Sequence, residues 1–376
     1  MGHSETTERD ILEGVESNSI RINQSDIGNI KIILGNRATP DPFQRYFNFT
    51  PCEYSNCVVV NPYRLQDSST YPRASQLAVT NAANIVLAQI HQAFIKPTDQ
   101  MLNLRPDQYL AIFSWEATSW NDNTFPPQLD GLVNFTITHR DTSDVPSWHF
   151  YKGCRYKRKT KLQATNYAHN KTKVALAFIS HCQSINYDRL KMVEALSKYV
   201  PVDVYGACGK PDPCSNGNKS CLYELSKKYY FYLSFENSLC KDYITEKFWE
   251  RFSEPANMVP VAMGGLQIEE YSKLAPENSF IHVRNFTSIA ELGNHLWYLV
   301  TNEAAYNRYH QWRETWEVTN LKLSMWLPAC ELCRIANEKP HMPADKTLSC
   351  KYNDKHCENY AAFPMSNKFN SAKWYI

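Results

Sequence analysis

Short apolar runs alternate with longer amphipathic stretches along most of this sequence. The short runs are rich in Ile, Val, Phe and Tyr and are bounded by Asn, Pro and Asp, a pattern that predicts strands. The predicted strands are residues 30–34, 57–60, 109–115, 132–138, 174–179, 202–205, 229–235, 258–263 and 280–283. Helices are predicted at residues 76–94, 187–199 and 243–252, with two more over 288–317. Strands separated by helices need crossover connections, so the pattern predicts parallel sheets in an α/β protein.

A basic, polar stretch at residues 156–173 interrupts the alternation and carries Lys157, Arg158, Lys159 and Lys161. Such a run is usually a solvated connector, so we set the domain boundary there. A chain of 376 residues is long enough for two domains. We therefore expect two doubly wound domains facing a cleft, with a polar stem before them and a cysteine-bearing tail after them. The expected divisions are 1–28, 29–165, 166–327 and 328–376.

The composition excludes several classes of protein. The chain is 43% hydrophobic and 21% charged, which excludes a disordered or fibrous chain. Its 40 Lys and Arg against 38 Asp and Glu leave a net charge of +2. Such a balance provides no global field for a nucleic acid or an anionic membrane. Any phosphate binding must therefore come from a local site.

Cysteine usage bears on the cellular compartment. Twelve cysteines are many for a reduced cytosolic protein of this size, and six Asn-x-Ser/Thr sequons accompany them. Residues 1–30 lack the apolar core of a signal peptide, and no stretch approaches the ~18 apolar residues of a membrane span. We expect a secretory protein whose N-terminal anchor has been left out of the chain. The alternative is a cytosolic protein with free thiols.

The C-terminal tail contains Cys330-Glu331-Leu332-Cys333, with Cys350, His356 and Cys357 downstream. An oxidising compartment favours disulfides over zinc for such a set. Cys52 with Cys57, and Cys208, Cys214 and Cys221 among themselves, are candidates for pairing because they are close in sequence, but the connectivity stays open.

The segment from 229 to 249 carries most of the candidate functional residues. An apolar strand runs into Phe235-Glu236-Asn237-Ser238, and Asp242-Tyr243-Ile244-Thr245-Glu246-Lys247 follows. The carboxyl end of a parallel strand is where open sheets bind ligands. Asp242 is expected to cap the next helix, and Lys247 near its start opposes the helix dipole. A bound phosphate would explain this lysine; an ordinary capped helix with surface charges is the alternative.

The same segment resembles the signature of the α1,3/4-fucosyltransferase family, which reads Phe-Glu-Asn-Ser, a spacer, Asp-Tyr, one variable residue and Thr-Glu-Lys. Residues 134–144, 178–182 and 202–209 resemble further family blocks in the same order, from about residue 31 to 333. The resemblance implies transfer of L-fucose from GDP-fucose to GlcNAc-containing glycans, with inversion. It also implies a GT-B architecture, two Rossmann-like domains of which 29–165 binds the acceptor and 166–327 the donor. The donor-binding residues it implies are Arg189, Asn237, Tyr243, Glu246 and Lys247, with Arg189 on the diphosphate.

An inverting transfer needs a base for the acceptor hydroxyl, and the resemblance implies Glu116. The family has Glu-Ser-Pro there, whereas Glu116 is followed by Ala117 and Thr118. A carboxylate at a strand end is otherwise a cap or an ion-pair partner, and Asp141 and Asp144 are rival acids. The sequence contains no Asp-x-Asp motif to hold a metal against a diphosphate. We therefore expect no metal ligands and no required cofactor, although a divalent metal could stimulate the reaction.

Within the family, residues 238–247 and the cysteines after 333 look most like the core type, which acts on the innermost, Asn-linked GlcNAc of N-glycans. A Lewis-type enzyme acting on antennal LacNAc or LacdiNAc is the alternative, and an inactive glycan- or GDP-binding relative is more remote. The expected partners are GDP-fucose and an N-glycan or glycoprotein acceptor, with no nucleic acid. The expected location is the Golgi lumen, as a type II membrane protein held only by the missing anchor.

Overall fold

The computed structural model describes residues 31–34, 52–60, 81–89, 104–114, 116–117, 127–146, 155–157, 161–183, 188–214, 219–252, 257–265, 267–318 and 321–346. The chain divides into two compact units. The first combines Met1–Trp148 with Lys322–Asp354, and the second combines His149–Leu321 with Lys355–Ile376. Residues 322–354 are thus part of the first unit, whereas the sequence analysis assigned most of them to a separate tail.

The first unit contains a parallel sheet of six described strands in the order β2-β1-β3-β4-β5-β6. The strands are β1 (Lys31–Leu34), β2 (Cys57–Val60), β3 (Ile85–Gln89), β4 (Tyr109–Phe113), β5 (Phe135–Thr138) and β6 (Val145–Pro146). The chain moves outwards from β1 to β2 and then returns past β1 to β3. This reversal is the topological switch point at which doubly wound sheets bind ligands.

The predicted helix at residues 76–94 is wrong at its centre, because strand β3 occupies Ile85–Gln89. Its first four residues, Ile85-Val86-Leu87-Ala88, are all buried. A strand covered on both faces reads as a continuous apolar run rather than an alternating one. A run this short cannot be distinguished from a buried helix by periodicity alone.

Helix α7 (Leu321–Glu338) packs on one face of this sheet. Its buried residues Ala329, Leu332 and Ile335 contact the core formed by Ile33, Ile85, Phe113 and Ile137. Two disulfides tie the helix to β2 and to the segment before it: Cys57–Cys333 involves the first residue of β2, and Cys52–Cys330 lies just ahead of the strand. The core of the first unit is therefore completed by residues from the far end of the chain.

The second unit contains a parallel sheet of five described strands in the order β12-β11-β10-β8-β9. The strands are β8 (Lys173–Phe178), β9 (Val202–Tyr205), β10 (Tyr229–Phe235), β11 (Val259–Met263) and β12 (Ile281–His282). The chain reverses here in the same way as in the first unit, so the switch point lies between β8 and β10. A separate antiparallel pair joins β7 (Arg155–Lys157) to β13 (Trp316–Val318).

The described residues of this unit form helices α1 (Arg189–Ser197), α2 (Lys219–Lys228), α3 (Glu246–Trp249), α4 (Ile268–Ser272), α5 (Ile289–Thr301) and α6 (Glu303–Arg308). One core joins α1, α5 and α6 to the sheet, and a second includes Phe248 of α3 and Tyr271 of α4. The predicted helix at 243–252 shortens to α3, and α2 was not predicted. The last part of the predicted helical region 288–317 is instead a 3-10 turn at Gln311–Glu314 followed by β13.

The disulfides differ from simple pairing of near neighbours. Cys214–Cys221 joins two neighbours, but Cys208 pairs with Cys182, and Cys52 and Cys57 each pair with the distant tail. The Cys-x-x-Cys motif therefore forms two long-range bridges rather than one local bridge. Cys240 is disulfide-bonded as well, and Cys350, His356 and Cys357 lie outside the described residues. Within the described ranges, the structure has no helix with the length and apolar content that crossing a membrane requires.

Candidate active site

Most of the predicted site residues follow the two strands that flank the switch point of the second unit. Arg189 begins α1, the helix after β8, and Asn237 comes two residues after β10. β8 and β10 are paired in parallel, with Phe231 opposite Ala175, so their carboxyl ends meet at one edge of the sheet. The topology therefore brings the segments that carry these residues to the same edge.

Arg189 is held in a buried position at the start of α1. Asp188 caps this helix, and its side chain accepts a hydrogen bond from Lys191 N at 3.0 Å. The Arg189 side chain is only 2% exposed, and its Nη2 donates to the carbonyl oxygen of His181 at 2.6 Å. Its Nε has no hydrogen-bond partner among the described residues. A buried guanidinium with donors to spare is suited to an anionic ligand.

The loop between β10 and α3 is organised by the buried carboxylate of Glu236. Its Oε1 accepts a hydrogen bond from Thr245 N at 2.7 Å, and its Oε2 accepts one from Thr245 Oγ1 at 2.7 Å. Thr245 is the residue that caps α3, through a hydrogen bond from Lys247 N. The prediction that Asp242 caps this helix is wrong: Asp242 has φ = 61°, and its N–H donates to Glu270 Oε2 at 2.6 Å.

Two carboxylates and one hydroxyl surround the ammonium group of Lys247. Its Nζ lies 3.3 Å from Glu236 Oε2 and 3.2 Å from Glu246 Oε1, and it donates to Thr245 Oγ1 at 2.9 Å. Burial raises the pKa of Glu236, and the positive charge of Lys247 opposes that rise. These neighbours offset the unfavourable position of Lys247 near the helix start, so no phosphate is needed to explain it. Lys247 keeps a side chain that is 22% exposed.

Asn237 and Tyr243 are buried in the same segment. The Tyr243 carbonyl accepts a hydrogen bond from Gly265 N at 3.2 Å. A Cβ at Gly264 would lie 3.1 Å from that carbonyl and 2.4 Å from Glu236 Cγ, so only glycine fits there without a shift. The segment after β11 therefore packs directly against the loop that carries the predicted site residues.

Sequence reasoning missed Glu236 as a functional candidate. It belongs to the quoted motif, but nothing in the motif indicates that its side chain is fully buried. One signal was present: the strand runs through apolar residues and ends directly on an acid, and a buried acid must be paired.

Glu116 lies in the first unit, three residues after the end of β4. It is half-buried, and its carbonyl oxygen accepts a hydrogen bond from Ser114 Oγ at 2.8 Å. The rival Asp144 has a structural task, because its Oδ2 accepts hydrogen bonds from Thr136 N at 2.8 Å and Thr136 Oγ1 at 2.9 Å. Glu116 thus lies at the carboxyl edge of the first sheet.

Comparison with known proteins shows what this chain is similar to. Residues 168–349 match glycosyltransferase family 10 (fucosyltransferase), C-terminal part. The chain is 33% identical over 245 residues to the α-(1,3)-fucosyltransferase fut-1 of Caenorhabditis elegans, a match that covers 63% of this chain and 55% of that protein. It is 38% identical over 197 residues to glycoprotein 3-α-L-fucosyltransferase A of Drosophila melanogaster, covering 51% of this chain and 38% of that one. The chain thus spans about half, or less, of these relatives.

A solved α1,3-fucosyltransferase structure has the same fold. It matches with a TM-score of 0.51 and covers 89% of this chain and 97% of its own, at 15% sequence identity. The predicted α/β fold class is confirmed, and so is the resemblance to the fucosyltransferase family.

Proposed function

We propose that this protein, whose residues 168–349 match glycosyltransferase family 10, is an inverting α1,3-fucosyltransferase that uses GDP-fucose. The observation that carries the proposal is that the residues resembling the family signature lie at the switch point of the second sheet. The Asn237-to-Lys247 segment and Arg189 follow the two strands at the switch point of the second sheet. Open α/β sheets bind nucleotides there.

Each proposed role follows from the chemistry of the residue. Arg189 and Lys247 offset the negative charge that builds on the diphosphate as GDP leaves. Glu246, whose side chain is 40% exposed, accepts hydrogen bonds from hydroxyl groups of the donor, since an ionised carboxylate only accepts. Asn237 and Tyr243 complete the donor site. Basic side chains take the place of a metal on the diphosphate, because the chain lacks an Asp-x-Asp motif.

Glu116 of the first unit is the proposed base. It takes the proton of the acceptor hydroxyl while that oxygen forms a bond to the anomeric carbon of fucose and the bond from this carbon to the diphosphate breaks. GDP leaves with the electrons of the broken bond, and the configuration at the anomeric carbon inverts. The first unit is then the acceptor-binding unit.

We propose the innermost, Asn-linked GlcNAc of N-glycans as the acceptor and the Golgi lumen as the site of action. The name of the Drosophila relative, a glycoprotein 3-α-L-fucosyltransferase, supports a glycoprotein acceptor. The disulfides in both units support an oxidising compartment.

The test is a transfer assay read by mass spectrometry. Purified protein, GDP-fucose and a chelator are incubated with a biantennary N-glycopeptide that has an open core GlcNAc and LacNAc antennae. We expect fucose on the innermost GlcNAc. Fucose on an antenna would keep the reaction and replace the core acceptor by the Lewis type. Transfer only after metal is added would contradict metal independence. No transfer with or without metal would contradict the proposed fucosyltransferase activity.

A further inference from the structure

A relay of three groups consists of a fully buried carboxylate, a hydroxyl and the ammonium of Lys247. The first group is Glu236, whose side chain is 0% exposed. The second is the hydroxyl of Thr245, which donates to Glu236 Oε2 at 2.7 Å and accepts from Lys247 Nζ at 2.9 Å. A direct ion pair of 3.3 Å between Glu236 and Lys247 closes the triangle.

Burying the carboxylate of Glu236 has a free-energy cost that its polar neighbours, Lys247 among them, must offset. Removing a carboxylate from water is unfavourable, and a single ion pair often fails to compensate. Glu236 recovers part of that cost through the N–H and hydroxyl of Thr245, the residue that caps α3. The position is tight, because a Cβ at Gly264 would come within 2.4 Å of Glu236 Cγ. The carboxylate is thus fixed from behind, and the flexible lysine is the member that gains orientation.

We infer that Glu236 is a positioning residue that acts through Thr245 and Lys247 to hold the lysine ammonium ready for the diphosphate of the donor. Glu236 itself is too deeply buried to contact a ligand. A lysine loses much rotamer freedom when it binds, and a preset ammonium avoids part of that loss. The inference rests on the proposed function, because it assigns Lys247 to the donor site.

The test is a double-mutant cycle on GDP affinity, measured by titration calorimetry on the full chain. Glu236→Gln keeps the size of the side chain and removes its charge. We expect GDP to bind about tenfold more weakly to this variant, but to bind the Lys247→Met and Glu236→Gln/Lys247→Met variants equally, within twofold. Glu224→Gln is the matched control, since Glu224 is an exposed residue of α2 that pairs with Lys227 at 2.7 Å; its GDP affinity should stay unchanged.

Several outcomes would overturn the inference. An equal loss with and without Lys247 would give Glu236 a merely structural role. Unchanged GDP binding in Glu236→Gln would mean that the carboxylate does not assist binding, and tighter binding would mean that it repels the anion. If the wild-type chain binds no GDP, the proposed function fails as well. If it binds GDP without this coupling, only the role of Glu236 fails.

A second pair of variants decides the matter if Glu236→Gln does not fold. Thr245→Ser keeps the hydroxyl relay, whereas Thr245→Val keeps the shape and removes it. We expect wild-type GDP affinity for the serine variant and a loss of about tenfold for the valine variant. Equal affinities in both variants would overturn the relay.

Discussion

The two sheets follow the same strand order at their switch points, but their cores are completed by different parts of the chain. In the second unit, α1, α5 and α6 cover one face of the sheet, and all of them lie between residues 189 and 308. In the first unit, α7 covers one face, and it follows β6 only after the whole second sheet has been built. The same topology is thus assembled locally in one unit and through distant contacts in the other.

The difference explains where the disulfides lie. The bridges described in the first unit span 278 and 276 residues, whereas those described in the second unit span 26 and 7. Bringing distant segments together costs more conformational entropy than closing a short loop. The long bridges fix α7, which the first unit draws from the far end of the chain.

Removing the long bridges should produce the largest effect on stability. Replacing Cys52, Cys57, Cys330 and Cys333 by Ser should lower the free energy of unfolding of the first unit by about 5 kcal/mol or more. Hydrogen exchange measured by mass spectrometry should show lost protection in β1 to β5 and retained protection in β8 to β11. The matched control is Cys214→Ser/Cys221→Ser, with a cost of about 2 kcal/mol in the second unit alone. Lost protection in both sheets would contradict the separation of the two units.

The donor site should depend on the second unit alone. Arg189→Ala and Lys247→Ala should each weaken GDP binding by about 2 kcal/mol, because each removes a charged hydrogen-bond donor to the diphosphate. Titration calorimetry measures this loss. Lys227→Ala, which removes an exposed lysine paired with Glu224 at 2.7 Å, is the control and should bind GDP normally. Unchanged GDP affinity in both site variants would show that the donor does not bind at Arg189 and Lys247.

Buried Lys171 should give the stability of the second unit a pH dependence. Burial lowers its pKa from 10.5 to about 7, and its Nζ donates to the carbonyls of Ser226 and Tyr229, both at 2.6 Å. Below about pH 7 the folded state bears the full cost of the buried charge, and this cost falls as the pH rises towards 10.5. The free energy of unfolding should therefore rise with pH, by up to about 1.4 kcal/mol per unit.

Urea unfolding at pH 7, 8 and 9, compared with Lys171→Met, isolates this contribution. The variant should lose the slope that Lys171 provides. Equal slopes in the two proteins would show that Lys171 stays charged in the folded state.

A smaller effect is expected where β4 meets the segment after α7. Tyr109 Oη donates to the carbonyl oxygen of Pro340 at 2.8 Å, one of the contacts that hold the distant segment on the first sheet. Tyr109→Phe should cost about 1 kcal/mol, measured as a shift in the denaturation midpoint of the first unit. An unchanged midpoint would mean that the disulfides and the apolar core suffice to hold this segment.

The sequence predicted the parts of the fold that are locally encoded. Strands β2, β9 and β10 lie where the apolar runs indicated, with the same bounds. Helix α7 could not be predicted, because Pro328 and the cysteines around it resemble an irregular tail. It packs on a sheet whose last strand ends at Pro146, well before the helix begins at Leu321, a relation that no local pattern contains.

The place of the candidate segment in the fold was predictable, but the contacts that support the segment were not. The motif from Phe235 to Lys247 and its place after a strand both followed from the sequence. The residue that caps α3 could not be predicted, because Asp242 and Thr245 are both good capping residues and only the loop conformation selects Thr245. The role of Glu236 depends on burial and on contacts that residue identity alone does not specify.

The central claim is that the first unit supplies the base and the second unit binds the donor. The most direct measurement is the turnover of Glu116→Gln at saturating GDP-fucose, with its GDP affinity as the internal control. We predict that turnover falls by about 100-fold to 10,000-fold while GDP affinity stays within twofold of the wild-type value. Retained turnover would show that Glu116 is not the base, and lost GDP affinity would show that the two roles are not divided between the units.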